Sequence, residues 1–380
     1  MSQNLQINTL NLQLSRYPQA ASSDLRAWNA ADELLVEFID NLDEAPATIL
    51  LLNDEFGALA CALMAHYRFA KSNIYWLSDS FVARQALTQN LQANQLNSDQ
   101  RLTILASTSA MPKADLVLMR LPKSLNYLEQ QLIGLQASLS AESQFACGAM
   151  LKGLPKSVFG LFEKHIGNVS TSLAKKKARL LFGHYTGVQS TSPYPKRWQI
   201  ADYQWQLNDH ANVFCFGKLD IGTRFMLENL PQGEFESVID LGCGNGLLGL
   251  RALSLYPRAT VSFCDESLMA LASAKNNINL NLPEQLERCS FNHDNALQHQ
   301  ADQSADLVLC NPPFHQQNTI SSHIAQQMFK DAKRCLRSGG KLIVVANRHL
   351  GYHPLLKSYF GGYKLLASNN KFVILSSTKR

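Results

Sequence analysis

Short apolar runs alternate with stretches of helical periodicity through the second half of the chain. Residues 237–241, 260–264, 289–293, 306–310 and 341–346 have the length and composition of strands. Between the first two, Leu247, Leu248, Leu250, Leu253 and Leu255 give a helix with a wide apolar face, and 268–281 reads as another helix. This alternation predicts a parallel sheet flanked by helices. Farther on, runs at 363–366 and 371–375 flank Asn369-Asn370 and predict a terminal hairpin.

The first half repeats the plan in blurred form. Residues 47–52, 73–77, 101–105 and 114–119 read as strands, and Leu121-Pro122-Lys123 follows the fourth as Asn311-Pro312-Pro313 follows its counterpart. Matching features lie from 186 residues (Asp79 to Asp265) to 191 residues (Asp115 to Asp306) apart, which points to an internal duplication. The copies differ where chemistry would occur. Asn53, Glu55 and Gly57, with Phe56 between them, replace Gly242, Gly244 and Gly246; Leu121 and Ser124 are matched with Asn311 and Phe314. The first half is therefore expected to be catalytically silent. Residues 183–195 are rich in Gly, Ser, Thr and Pro, so the expected division is 1–183, a linker at 184–200, and 201–380.

Two domains also suit the length of 380 residues. A hydrophobic content of 46% and a charged content of 17% exclude a disordered or membrane-embedded chain, and no apolar run approaches the roughly 20 residues of a membrane span. The start of the chain lacks a basic segment followed by a continuous apolar one, so a cytoplasmic protein is expected. Eight scattered cysteines without a C-x-x-C pair predict reduced thiols and no metal site. A net charge of +5 permits a nucleic-acid partner without requiring one. The densest basic run, Lys175-Lys176-Lys177-Ala178-Arg179, reads either as a solvated face or as an RNA-phosphate contact.

The turn Asp240-Leu241-Gly242-Cys243-Gly244-Asn245-Gly246 follows a strand and opens a helix, a place where residues without Cβ let backbone approach a ligand. Gly244-x-Gly246-x-x-Gly249 also fits a dinucleotide fingerprint, with Asp265 near the position of a ribose-binding acid, so a nicotinamide dehydrogenase is the formal rival. Carboxylates at successive strand ends favour S-adenosylmethionine instead. Asp240 can face its ammonium, where a pyrophosphate would be repelled; Asp265, followed by Glu266, can accept from the ribose hydroxyls; Asp294-Asn295 can meet the adenine amine. Asp220 and Gly222, in a polar stretch upstream of the turn, are expected to fold over the cofactor.

Asn311-Pro312-Pro313-Phe314 supplies an amide acceptor, a stiff elbow and an aromatic plate. The Asn311 oxygen and the Pro312 carbonyl could each accept one N–H of an exocyclic amine, aiming its lone pair at an electrophilic methyl, while Phe314 stacks on the ring. The target base would then be out of its helix. The plainer alternative is a Pro-Pro loop closing a buried strand. His315 and Gln316-Gln317 follow and could read the base edge, and Arg348 leaves the strand ending at Ala346 near the pocket mouth.

These motifs, with Leu219-Asp220-Ile221-Gly222, Ala346-Asn347-Arg348-His349-Leu350 and Asn369-Asn370-Lys371-Phe372-Val373, resemble the bacterial ribosomal RNA guanine-N2 methyltransferases with duplicated domains. The likeness continues through Ala27-Trp28-Asn29-Ala30-Ala31-Asp32-Glu33 and Leu52-Asn53-Asp54-Glu55-Phe56-Gly57, and it is greater to the 23S member than to its 16S sister. It implies an α/β chain of two tandem Rossmann-like class I methyltransferase domains with seven-stranded, mostly parallel sheets, the N-terminal one degenerate and serving RNA recognition or support. It also implies N2-methylation of one guanine in 23S ribosomal RNA, without a metal or an obligate protein partner. Similar Asn-Pro-Pro-aromatic motifs serve enzymes acting on DNA adenine or protein glutamine, and a noncatalytic RNA-binding assembly factor is the reading from another class.

Overall fold

The apolar runs at 47–52 and 306–310 become central strands of two separate seven-stranded sheets, where Leu50, Leu51, Leu52, Leu307, Val308 and Leu309 are wholly buried. Central parallel strands are covered on both faces, which is why they read as continuous apolar runs rather than alternating ones. The computed structural model describes residues 3–19, 25–96, 101–313 and 319–380. The chain divides into two units, Met1–Pro193 and Tyr194–Arg380.

Both sheets have the same topology. In the second unit the spatial order is Cys289–His293, Thr260–Asp265, Ser237–Leu241, Ala305–Cys310, Leu336–Asn347, Phe372–Thr378 and Lys364–Ser368. In the first it is Leu102–Ala106, Asn73–Ser78, Thr48–Leu52, Leu116–Arg120, Gln144–Met150, Ala178–Tyr185 and Gly167–Thr171. In each sheet the first five strands run parallel, and the sixth pairs antiparallel with both of its neighbours. Phe372–Thr378 and Lys364–Ser368 form the expected terminal hairpin. The last three strands of the first sheet escape sequence reading: Gln144–Met150 includes Cys147 and Gly148, and the other two are partly polar.

Each unit also begins with a two-stranded hairpin, Gln3–Ile7 with Leu10–Leu14 and Lys196–Ile200 with Trp205–Asp209, which the sequence reading did not anticipate. The second lies partly in the expected linker, whose Ser190 is fastened to the first unit through Gln136 and His165. The hairpins are tied down identically. Asn90 Oδ1 accepts from Ser15 N at 2.9 Å and its amide donates to the Phe56 carbonyl; Asn277 Oδ1 accepts from Asn208 N at 2.7 Å and its amide donates to the Asn245 carbonyl. The duplication thus extends to single hydrogen bonds.

Strand pairing corrects the alignment of the copies. Leu52 pairs with Leu77 as Leu241 pairs with Cys264, so Asp265 corresponds to Ser78 rather than to Asp79. The matching N-caps Ser80 and Ser267 agree. Leu52 pairs with Met119 as Leu241 pairs with Cys310, so Asn311 corresponds to Arg120, and Leu121 to Pro312. Motif spacing alone cannot fix such an offset to one residue, and one residue decides which way a strand side chain points. Among the described residues no helix is long and apolar enough to cross a membrane.

Candidate active site

The glycine turn of the second unit lies beside the end of Thr260–Asp265. Gly242 N donates to the Cys264 carbonyl at 2.8 Å, and Gly244 N donates to Asp265 Oδ2 at 2.8 Å. The other Asp265 oxygen accepts from Ser267 N at 2.9 Å, so this carboxylate joins the turn to the next helix. Two glycines answer to different demands. Gly246 (φ +80°) packs so close to Ala274 that a Cβ would stand 2.7 Å from its Cβ, whereas Gly244 (φ +53°) faces open space. The first unit keeps the packing glycine as Gly57 (φ +78°) and replaces the open one with Glu55.

Asp240 is 1% exposed. Its Oδ2 accepts from Gly249 N at 2.8 Å, in the first turn of the helix Leu247–Leu255, while Oδ1 has no partner among the described residues. Burial pushes its carboxyl up to about 8, assisted by the nearby Asp265 charge and opposed by the Gly249 bond. In the first unit Asp54 caps the matching amide, Ala60 N, at 3.0 Å, from a loop position rather than from the strand. A buried acid oxygen in want of a positive donor, and a backbone cradle open at Gly244, fit the ammonium and nucleoside of S-adenosylmethionine.

Asn311 is held in one orientation. Its Nδ2 donates to Thr223 Oγ1 at 2.9 Å and lies 3.3 Å from Asp220 Oδ2. A carboxylate accepts and cannot donate, so the amide nitrogen must face Asp220. The buried Oδ1 then faces away and has no partner among the described residues. Asp220 is the N-cap of the helix Ile221–Glu228, accepting from Thr223 N at 2.8 Å, and thereby fixes the hydroxyl that grips Asn311. Thr223 belongs to the polar stretch that the sequence places near the cofactor, but nothing in the sequence ties its hydroxyl to Asn311.

The corresponding place in the first unit is plugged. Arg120 is 7% exposed and forms an ion pair with Asp32, while the N-cap Asn29 lies 3.4 Å from its other nitrogen. Asn29 and Asp32 thus hold Arg120 from the positions at which Asp220 and Thr223 hold Asn311.

The other expected residues have varied settings. Asp294 is 1% exposed, and its two oxygens accept from His299 N at 2.9 Å and contact His299 Nδ1 at 2.8 Å, giving it a local structural task. Asn295 and Glu266 are half-buried beside it and beside Asp265. Gly222 is buried and lets the helix start pass under Phe372, to which a Cβ would come within 3.2 Å. Pro312 is buried and Pro313 half-buried; Phe314, His315, Gln316 and Gln317 lie outside the described residues. Asp209, which the sequence reading overlooked, receives bonds from Trp198, Gly217 and Asn245 and so pins the segment before Asp220 to the glycine turn. Lys175, Lys176 and Lys177 are exposed at a tight turn, with Lys175 paired to Glu37 and Lys176 to Glu33. Arg179 enters the following strand, half-buried, and exposed Arg348 donates to the Asn369 carbonyl at 3.1 Å.

Known proteins match the chain across both units. Residues 2–187 match the RLMG N-terminal domain and residues 204–376 the methyltransferase small domain. The ribosomal RNA large subunit methyltransferase G of Pseudoalteromonas atlantica is 47% identical over 97% of each chain, and that of Erwinia tasmaniensis 45% over 100% of each. A T. thermophilus 16S rRNA N2 methyltransferase, solved with AdoMet and guanosine, superposes with a TM-score of 0.76 over 100% of this chain and 98% of its own at 20% identity, a likeness of fold. Two duplicated α/β units matched over full length by such relatives place the chain in the ribosomal RNA large subunit methyltransferase G family.

Proposed function

We propose that the chain methylates the exocyclic N2 of one guanine in 23S ribosomal RNA, using S-adenosylmethionine. The observation that carries this reading is the Asn311 oxygen, buried, unpartnered among the described residues and aimed by Asp220 and Thr223. When bound, the cofactor supplies a methyl group made electrophilic by a sulfonium. The protein's own task is placement. Asn311 Oδ1 and the Pro312 carbonyl accept the two N–H bonds of the guanine amine, which turns the nitrogen lone pair out of conjugation and opposes the positive charge that grows on it. Asn311 has no basic group, so the proton leaves to solvent after transfer. Phe314 follows in sequence and stacks on the flipped base.

Asp240 Oδ1 takes the ammonium, Asp265 and Glu266 the ribose edge, and Asp294 with Asn295 the adenine amine, through the lone pair that each Asp294 oxygen retains. Asp220 and Gly222 act from beneath, by holding Asn311 and the helix start. The names of relatives at 40–47% identity support the large-subunit substrate over the 16S one. An enzyme acting on bacterial ribosomal RNA works in the cytoplasm. Mass spectrometry of ribosomal RNA from cells lacking the gene tests the reading: one missing N2-methylguanosine in 23S RNA is expected, and an unchanged nucleoside profile would refute it.

A further inference from the structure

The first-unit cleft that corresponds to the cofactor site has not simply closed. Glu55 and Phe56 stand in the places of Gly244 and Asn245, and Asn29 in that of Asp220; with Arg16, Arg26 and Trp28 they surround a cavity of about 390 Å3. Arg16 lays its guanidinium over the Phe56 ring, 4.6 Å from its centre, and Arg26 does the same over Trp28 at 5.6 Å. Both rings are more than nine-tenths buried, so the arginines are the more accessible members of each pair. A neighbouring cavity of about 480 Å3 shares Arg26 and Trp28 and reaches Lys176.

This chemistry has been inverted relative to the second unit. The ribose-facing acid is replaced by Ser78, the open glycine by Glu55, and two guanidinium groups would repel a sulfonium. Flat cations backed by aromatic rings suit a flat base carried on phosphates: the guanidinium face stacks on the ring while its edge and Lys176 meet the backbone. The exposed Glu55 carboxylate can accept from an amidine-like base edge such as that of guanine.

We propose that the converted cofactor cleft of the first unit, around Arg16, Arg26 and Glu55, binds an unstacked nucleotide of the substrate RNA. This rests on the reading of the substrate as RNA. The test uses the full chain and a single-stranded RNA oligonucleotide bearing 6-thioguanosine. Photocrosslinks are expected on peptides containing Trp28 or Phe56. The charge-preserving Arg16→Lys/Arg26→Lys variant, which loses the flat faces only, should bind the oligonucleotide about tenfold more weakly with kcat and cofactor affinity unchanged. Crosslinks confined to residues 194–380, or unaltered binding by a variant that melts like the parent, would overturn the proposal. Crosslinking at Trp28 without any methyl transfer to RNA would instead sustain this site and refute the proposed reaction.

Discussion

Thr223 accepts from Asn311 through a 2.9 Å hydrogen bond, and Asp220 caps the helix that carries Thr223. Together they turn a freely rotating amide into an oriented acceptor. Asn311→Ala should therefore lower kcat by about a hundredfold to a thousandfold, the effect typical of removing one aligned dipole, while leaving cofactor affinity near the parent value. Steady-state kinetics beside equilibrium adenosylmethionine binding reads both, and parental kcat would remove Asn311 from the mechanism.

Thr223→Val preserves shape and deletes only the hydroxyl. We expect kcat to fall about tenfold to a hundredfold with KM for RNA nearly constant, because the amide loses alignment rather than the substrate losing contacts. Thr223→Ser should restore most of the rate. Equal kcat in the valine variant would mean that the hydroxyl does not position Asn311.

Asp240 gives a signed pH dependence. Its folded carboxyl lies at about 8, above its ordinary value of 3.8, so between these limits the folded state holds a proton that the unfolded state has lost. The cofactor-free protein is consequently destabilised as pH rises through that window. An ammonium prefers the ionised acid, so adenosylmethionine affinity should rise with pH toward 8. Above that, the cofactor's own amine begins to deprotonate and affinity should turn down. Calorimetric titration from pH 6 to 9 measures this; Asp240→Asn should bind weakly without the rising limb, and a rising limb retained in that variant would assign it elsewhere.

Arg120 and Asp32 form a nearly buried pair in the first unit. Arg120→Met leaves an uncompensated acid and should cost about 3–5 kcal/mol of that unit's stability, read by denaturant melts, without changing kcat on a pre-folded sample. Loss of catalysis with unaltered stability would contradict the description of Arg120 as a plug.

Replacing Lys175, Lys176, Lys177 and Arg179 with Gln should weaken RNA binding and flatten its salt dependence, since each lost phosphate contact reduces the slope by about 0.7 on a single strand. The lysine ends of the pairs with Glu37 and Glu33 are exposed and can exchange these partners for phosphate. An unchanged slope would mark the run as a solvated face.

Much of the fold was legible because central parallel strands such as Thr48–Leu52 and Ala305–Cys310 are apolar runs closed by recognisable turns. The antiparallel strands Gly167–Thr171 and Ala178–Tyr185 were not, since exposed and half-buried positions break their apolar pattern. Glycines announced the site, yet the sequence could not separate Gly246, required by Ala274, from Gly244, which opens to a ligand. The duplication separates them: Gly57 persists and Gly244 gives way to Glu55. The bond from Asn311 to Thr223, the ties made by Asp209 and the Arg120 plug became visible only once folding put distant residues side by side.

The most direct test of the central claim is methyl transfer from labelled adenosylmethionine to deproteinised ribosomal RNA, followed by nucleoside mass spectrometry, for the parent and Asn311→Ala. The account predicts N2-methylguanosine in 23S RNA with the parent alone. Label in another nucleoside, or equal product from both proteins, would contradict it.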